Sequence, residues 1–427
     1  MSIRPRSLHE RSVHERGLRR RSIVPVLRMR GRSIDEKGRV STPLELLFDL
    51  TFVVAVASIV AQLAHAVAED HIATALPNFL MVFFAIWLAW LNFTWFASAY
   101  DTDDVPYRLL TMLQMGGVLV LAAGVPGAFN DEDWGLVTLG YFIMRIALVG
   151  QWLRAAAQDE PGRGTALGYA IGISVVQALW IFRLLVLNDL PFAAQVAVFS
   201  LLALCELAVP LIAERKRRIA WHPHHVAERY SLFTIILLGE SVAASSSAVQ
   251  GVVSAGAATG EFVLIAASGL ALLFGLWWVY FLEPAHEGLE KHRSRSYFWG
   301  YGHYLVFAAL AALGAGLEVA VESIGHELEV PVTVVGYAIG IPVAAFFVMM
   351  WVLYRPLTGP TVIPPAVSLG AAAVVLLLPL AAPAISLGAV VLLTALAVAA
   401  AVAATVLYRR VPSPAPAPAP PSTSAAG

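Results

Sequence analysis

The feature that most constrains this chain is the return, about every thirty residues, of an apolar run about twenty residues long. Such runs fall at 44–67, 76–99, 107–127, 134–156, 166–187, 191–213, 227–248, 260–282, 297–321, 330–353, 362–382 and 384–408. Each can cross the ~30 Å hydrocarbon core of a bilayer as an α-helix. With no water there to satisfy the backbone, helices are the natural spanning element. The 427 residues are 59% hydrophobic and only 13% charged, against roughly 25% charged in a soluble domain. The expectation is an all-α polytopic integral membrane protein of twelve helices, or ten or eleven if the proline-interrupted region 362–408 is not two spans.

Charge placement gives an orientation. Residues 1–40 carry twelve of the 28 Lys and Arg residues and no apolar core of a signal peptide, so they read as a basic cytoplasmic tail, solvated or lying on anionic lipid. With that tail inside, the even-numbered connections hold Arg108, Arg154, Arg163, Arg215 to Arg218 (Lys at 216), Lys291, Arg293, Arg295 and Arg355, and Arg409 and Arg410 follow the last span. The odd connections hold no Lys or Arg, but carry Glu69, Asp70, Asp131, Glu132, Asp133, Asp189, Glu322, Glu327 and Glu329. Cytoplasmic loops collect positive charge. Both termini are therefore expected in the cytoplasm.

The chain divides into a tail (1–40), a first transmembrane half (41–213), a basic, His-containing loop (214–226), a second half (227–410) and a Pro/Ala-rich tail (411–427) that cannot bury apolar surface and reads as disordered. At an offset of 183 residues, Glu45, Thr51, Ser58, Phe79 and Trp95 meet Glu228, Thr234, Ser241, Phe262 and Trp278. That spacing suggests two parallel six-helix repeats, an arrangement found in transporters with the solute path between repeats.

Ionisable groups inside spans are costly, ~2.5–3.5 kcal/mol each at mid-helix, and mark candidate sites. In Thr42-Pro43-Leu44-Glu45-Leu46-Leu47-Phe48-Asp49, Thr42 suits an N-cap, Pro43 the first helical position, and Glu45 the positive helix end. Asp49, one turn deeper on the same face, repels Glu45 unless a cation intervenes or one carboxyl is protonated. The seventh span, Glu228-Arg229-Tyr230-Ser231-Leu232-Phe233-Thr234-Ile235-Ile236-Leu237-Leu238-Gly239-Glu240-Ser241, places Glu240 and Ser241 about 20 Å beyond His225, near the midplane. Glu240 there is expected to be protonated or paired with a buried Arg. Arg145, in the middle of span four, is the natural counter-charge for Asp49, Glu206 or Glu240; Glu318 stands in another span; and Arg183, near the end of span five, can snorkel to the interface.

His222, His224 and His225, near Glu228, could bind zinc or another divalent metal, although they show no fixed ligand spacing. The single Cys205 forms no disulfide framework, and no Walker, nucleophile-elbow, zincin or dinucleotide motif is present. Lys37, Lys216 and Lys291 all lie outside the spans, which leaves no buried amine for a retinal Schiff base. No cofactor and no nucleic acid is expected.

The two stretches Thr-Pro-Leu-Glu-Leu-Leu-Phe-Asp-Leu-Thr-Phe-Val and Glu-Arg-Tyr-Ser-Leu-Phe-Thr-Ile-Ile-Leu-Leu-Gly-Glu-Ser resemble the bacterial low temperature requirement protein A (LtrA) family, over roughly residues 40–355. The resemblance implies a multi-span bacterial inner-membrane protein, linked by name to growth in the cold, and carries no substrate or catalytic residue. The favoured reading of the residues is a secondary transporter or permease of a small solute, proton-coupled through Glu240 and Asp49 with Arg145 as partner. A membrane-embedded metal enzyme acting on a lipid-like substrate and a non-catalytic membrane factor are the alternatives.

Overall fold

The computed structural model describes residues 26–33, 36, 38–254, 256, 259–324, 330–359 and 361–410, the last three of these by their backbone. The first 25 residues of the basic tail, Lys37, Glu327, Glu329 and the Pro/Ala-rich tail 411–427 lie outside them. The described residues are helical, without strands, and twelve stretches are long and apolar enough to cross a membrane. These are α1 (Pro43–Ala68), α2 (Ile72–Tyr100), α3 (Val105–Asn130), α4 (Gly135–Gln158), α5 (Arg163–Val186), α6 (Phe192–Ala213), α7 (Pro223–Ser254) and α8 (Gly260–Leu282). The short α9 (Ala285–Lys291) leads into α10 (Ser296–Glu322), followed by α11 (Val332–Thr358), then α12 (Pro365–Leu377) and the single turn α13 (Ala382–Ile385), which together make one crossing stretch, Pro365–Ile385, and finally α14 (Leu387–Arg410).

The uncertain region 362–408 is two spans. Pro379 tightens the end of α12 into a 3₁₀ turn, Leu378–Ala381, and Ser386 at φ 84° then reverses the chain into α14. Glu261 holds that reversal, its carboxylate accepting from the backbone N–H of Gly388 at 2.6 Å and the hydroxyl of Ser386 at 3.2 Å. The seventh span is longer than its hydrophobic run: α7 is 32 residues, and His224 and His225 belong to its first turn rather than to a loop.

The described residues form two compact units, one of those up to 59 with 77–232, the other of 60–76 with those from 233 on. In the first, α3, α4, α5 and α6 pack each against the next. Glycines set the closest approach: a Cβ on Gly140 would lie 2.3 Å from the backbone N of Leu121, and one on Gly117 2.7 Å from the carbonyl of Gly140. Close backbone contact through small residues is how helices associate where lipid supplies no hydrophobic drive. In the second unit α10 packs on α11, α11 on α12, and α8 on α14. Gly316 there meets the carbonyl of Ala338, and Gly340 that of Val375, at 2.4 and 2.7 Å from an added Cβ.

The surface is as telling as the core. Leu185, Leu204 and Phe274 are 75%, 64% and 62% exposed, and they stand among many other exposed large apolar side chains. A water-soluble monomer does not carry so much apolar surface.

The end of the basic segment is tied to the first unit through its backbone, although most of its side chains are exposed. Residues 26–33 run as a strap over the first unit, with the backbone N–H groups of Leu27, Met29 and Arg32 donating to Asp104 (2.7 Å), to the Gln158 side chain (2.7 Å) and to the Ala99 carbonyl (2.9 Å). Met29 is fully buried.

Candidate functional site

The ionic site is built where α1 and α7 begin, both ends lying in the first unit. Thr42 caps α1 as its sequence suggests, and the cap is reciprocal: the N–H of Glu45 donates to the Thr42 hydroxyl at 3.3 Å, and the N–H of Thr42 donates to Glu45 Oε2 at 2.6 Å. That leaves Oε1 of Glu45 facing inward. His225 Nε2 at 3.0 Å, Arg39 Nη2 at 3.3 Å and Arg229 Nη1 at 3.4 Å converge on it. Glu45 is therefore a hub as well as a cap.

The cation between Glu45 and Asp49 is Arg229. Its Nε donates to Asp49 Oδ2 at 2.9 Å and its Nη2 to Oδ1 at 2.5 Å, a bidentate fork, and Trp90 Nε1 adds a third hydrogen bond to Oδ1 at 2.7 Å. Glu45, His225 and Arg229 are completely buried and Asp49 nearly so. Arg39 also reaches Asp101 Oδ2 at 3.5 Å, and Arg32 reaches the same oxygen at 3.6 Å. Arg32 is also forked to Glu36, so three guanidiniums meet four carboxylates, Glu36, Glu45, Asp49 and Asp101. Burial, with the Glu45 charge nearby, pushes Asp101 up to about 6 against the pull of Arg39 and Arg32. Glu228 stands at the edge of the cluster and accepts from the backbone N–H of Ser41 at 3.1 Å.

The three histidines do not converge. His222 Nδ1 accepts the backbone N–H of His225 at 3.4 Å, closing the start of α7, and His225 turns to Glu45. Burial, with His224 alongside, holds His222 below its ordinary value. Among the described residues no three His, Cys, Asp or Glu side chains are grouped as a metal would require.

Arg145 takes Glu206, the second of its three possible counter-charges. Its Nη2 lies 3.0 Å from Glu206 Oε2 and also contacts the Tyr141 hydroxyl; Tyr141 and Trp180 each donate to Glu206 Oε1 at 3.2 Å. Among the described residues, Nε and Nη1 of Arg145 are buried without a hydrogen-bond partner. Arg145 is thus the partner of neither Asp49 nor Glu240. Arg183 does not snorkel: it is 4% exposed and folds inward over the ring of Trp134, 5.2 Å from its centroid.

Glu240 lies in the second unit at the middle of α7, half-buried, and among the described residues it has no hydrogen bond or ion pair. Its electrostatic neighbour is another carboxylate, Glu318 of α10, itself beside Glu322. The fully buried Ser241 next to it is pressed on α10, its hydroxyl 2.8 Å from where a Cβ on Gly314 would sit.

Sequence reasoning missed Arg39, Trp90, Tyr141 and Trp180. Arg39 was counted with the basic tail, and the indole and phenol donors are indistinguishable in sequence from the many aromatics that only fill helix interfaces.

Fold and site together define a polytopic α-helical membrane protein with buried ionic networks between its helices. Residues 40–406 match the bacterial low temperature requirement A protein family, and the chain belongs to it. It is also similar to an uncharacterized protein of Rhizobium meliloti (strain 1021), 25% identical over 299 residues that cover 65% of this chain and 68% of that one.

Proposed function

We propose that the protein is a secondary transporter or permease of a small solute, coupled to protons, in the bacterial inner membrane with both termini in the cytoplasm. The observation that carries the reading is the pair Glu240 and Glu318: two half-buried carboxyl groups within electrostatic reach of each other, on membrane-spanning helices, and among the described residues without a cation to pair either. Two carboxyl groups so placed, without a cation beside them, are the kind of group through which a proton can be passed. The buried carboxylates Asp49 and Glu206 of the first unit each have a guanidinium by contrast. Asp49 is locked to Arg229 and Glu206 to Arg145, which suits anchors better than groups that cycle.

Asp49 accordingly positions Arg229 rather than carrying the proton. The test is reconstitution into liposomes loaded with a pH-sensitive dye, an imposed pH gradient, and a screen of amino acids, organic acids and metal cations. A solute that drives proton movement beyond that of empty liposomes supports the proposal. No such solute across the three classes, with the protein correctly inserted, contradicts it.

A further inference from the structure

The first unit contains a cavity that the ionic cluster does not use. It is lined by Phe84 and Ala85 of α2, Val137, Thr138 and Tyr141 of α4, Trp180 and Arg183 of α5, Phe199 of α6, and Trp134 just before α4, and it measures about 30 Å³. On that measure a single water needs roughly 10–15 Å³, so the space admits about two waters or one small ion. An organic solute does not fit.

The walls are rings, and the one fixed charge on them is Arg183. Trp134 lies 5.2 Å from the guanidinium carbon and Phe199 5.9 Å, and with the two ring centroids 5.8 Å apart both rings stand to one side of the group and leave the rest of it for a ligand. Nη2 is buried and has no hydrogen-bond partner, and among the described residues no carboxylate forms an ion pair with Arg183. The nearby Glu206 does not serve, because it is bound to Arg145, Tyr141 and Trp180. Arg145 and Glu206 cancel, and the positive charge of Arg183 is the net charge of the pocket.

We infer that this cavity is a binding site for a monovalent inorganic anion of halide size, with Arg183 as its charged ligand. A guanidinium out of water with no carboxylate beside it needs a counter-ion, its free Nη2 supplies hydrogen bonds that an anion accepts, and aromatic ring edges carry partial positive charge. The Thr138 hydroxyl lines the same space and can donate. A halide is small and weakly hydrated enough to enter a site of this size; a carboxylate with its carbon body is not. This site stands whether or not the protein moves protons.

The experiment uses the full chain purified in a mild detergent, in gluconate buffer at constant ionic strength. Equilibrium dialysis against radiolabelled chloride should give one saturable chloride per chain, and iodide should quench the fluorescence of Trp134 and Trp180 in a saturable manner that chloride reverses. Arg183→Gln should weaken chloride binding at least tenfold and leave only collisional quenching, while Arg183→Lys should retain part of the binding. Should Arg183→Gln not fold, dialysis of the wild type still decides the matter. No saturable chloride, purely linear iodide quenching, or an Arg183→Gln protein that binds as the wild type does would each overturn the site.

Discussion

Asp49 and Arg229 stand 180 residues apart in the chain and are joined, out of contact with water, by two hydrogen bonds of 2.9 and 2.5 Å. The pair closes α1 onto α7 within the first unit. Removing either partner leaves the other charge buried and alone, a cost of about 3–5 kcal/mol. Asp49→Ala and Arg229→Ala should therefore each lower the melting temperature of the purified protein sharply or abolish its accumulation. The double variant Asp49→Leu, Arg229→Met should recover most of the loss. A double variant as unstable as the sum of the two singles would show that the residues do not act as a pair.

Close packing of α3 on α4 makes a second prediction. Gly140 has no room for a side chain, whereas a Cβ on Gly116 meets nothing within 4 Å. Gly140→Leu should destabilise by about 1–3 kcal/mol or more through overpacking, seen as a fall in melting temperature. Gly116→Ala should be neutral or slightly stabilising, since Ala favours the helix by up to about 1 kcal/mol over Gly.

Asp104 gives the pH dependence. It caps α3, and although burial works against its charge, the hydrogen bonds from Arg154, Leu27 and Tyr107 outweigh it and hold the carboxyl at about 2, below its ordinary 3.8. The sign follows from linkage: the folded state binds the proton more weakly than the unfolded one, so the stabilisation is full above pH ~4 and disappears as pH falls toward ~2. Asp104→Asn should thus be less stable than wild type at neutral pH, with the gap closing between pH 4 and 2. An acid-unfolding series on both proteins measures this, and a gap that widens on acidification would contradict it.

Much of this architecture was legible in the sequence, because helix number in a membrane follows from apolar length alone. Even the doubtful region 362–408 holds two stretches long and apolar enough to cross, Pro365–Ile385 and Leu387–Leu407, with Pro379 and Pro383 inside the first and the break at Ser386. The start of α1 was readable too, since Thr42, Pro43 and Glu45 are local signals. Pairing was not. Nothing in sequence spacing distinguishes Glu206 from Asp49 or Glu240 as the partner of Arg145, and Arg183 looked like a snorkelling residue because helix position does not reveal which way a long side chain folds. The role of Arg39 was hidden by its place in a run of basic residues, most of which the described structure does not include.

Orientation rests on the uneven distribution of Lys and Arg, and labelling checks it. In a chain whose Cys205 is replaced by Ala, single cysteines at positions 70 and 131 should react with an impermeant maleimide applied to intact cells or spheroplasts. Cysteines at 217 and 293 should react after the membrane is opened. External labelling at 217 would invert the proposed topology.

Glu240 tests the account most directly, because a proton-exchanging carboxyl and a merely structural one part company when the titration is removed and the shape is kept. Glu240→Gln retains size and hydrogen-bonding capacity and cannot take up or release a proton. In dye-loaded liposomes at matched protein density, the account predicts that Glu240→Gln inserts and melts like the wild type yet loses solute-driven proton movement at least tenfold, with Glu318→Gln impaired in the same direction. Wild-type proton movement by Glu240→Gln would contradict it.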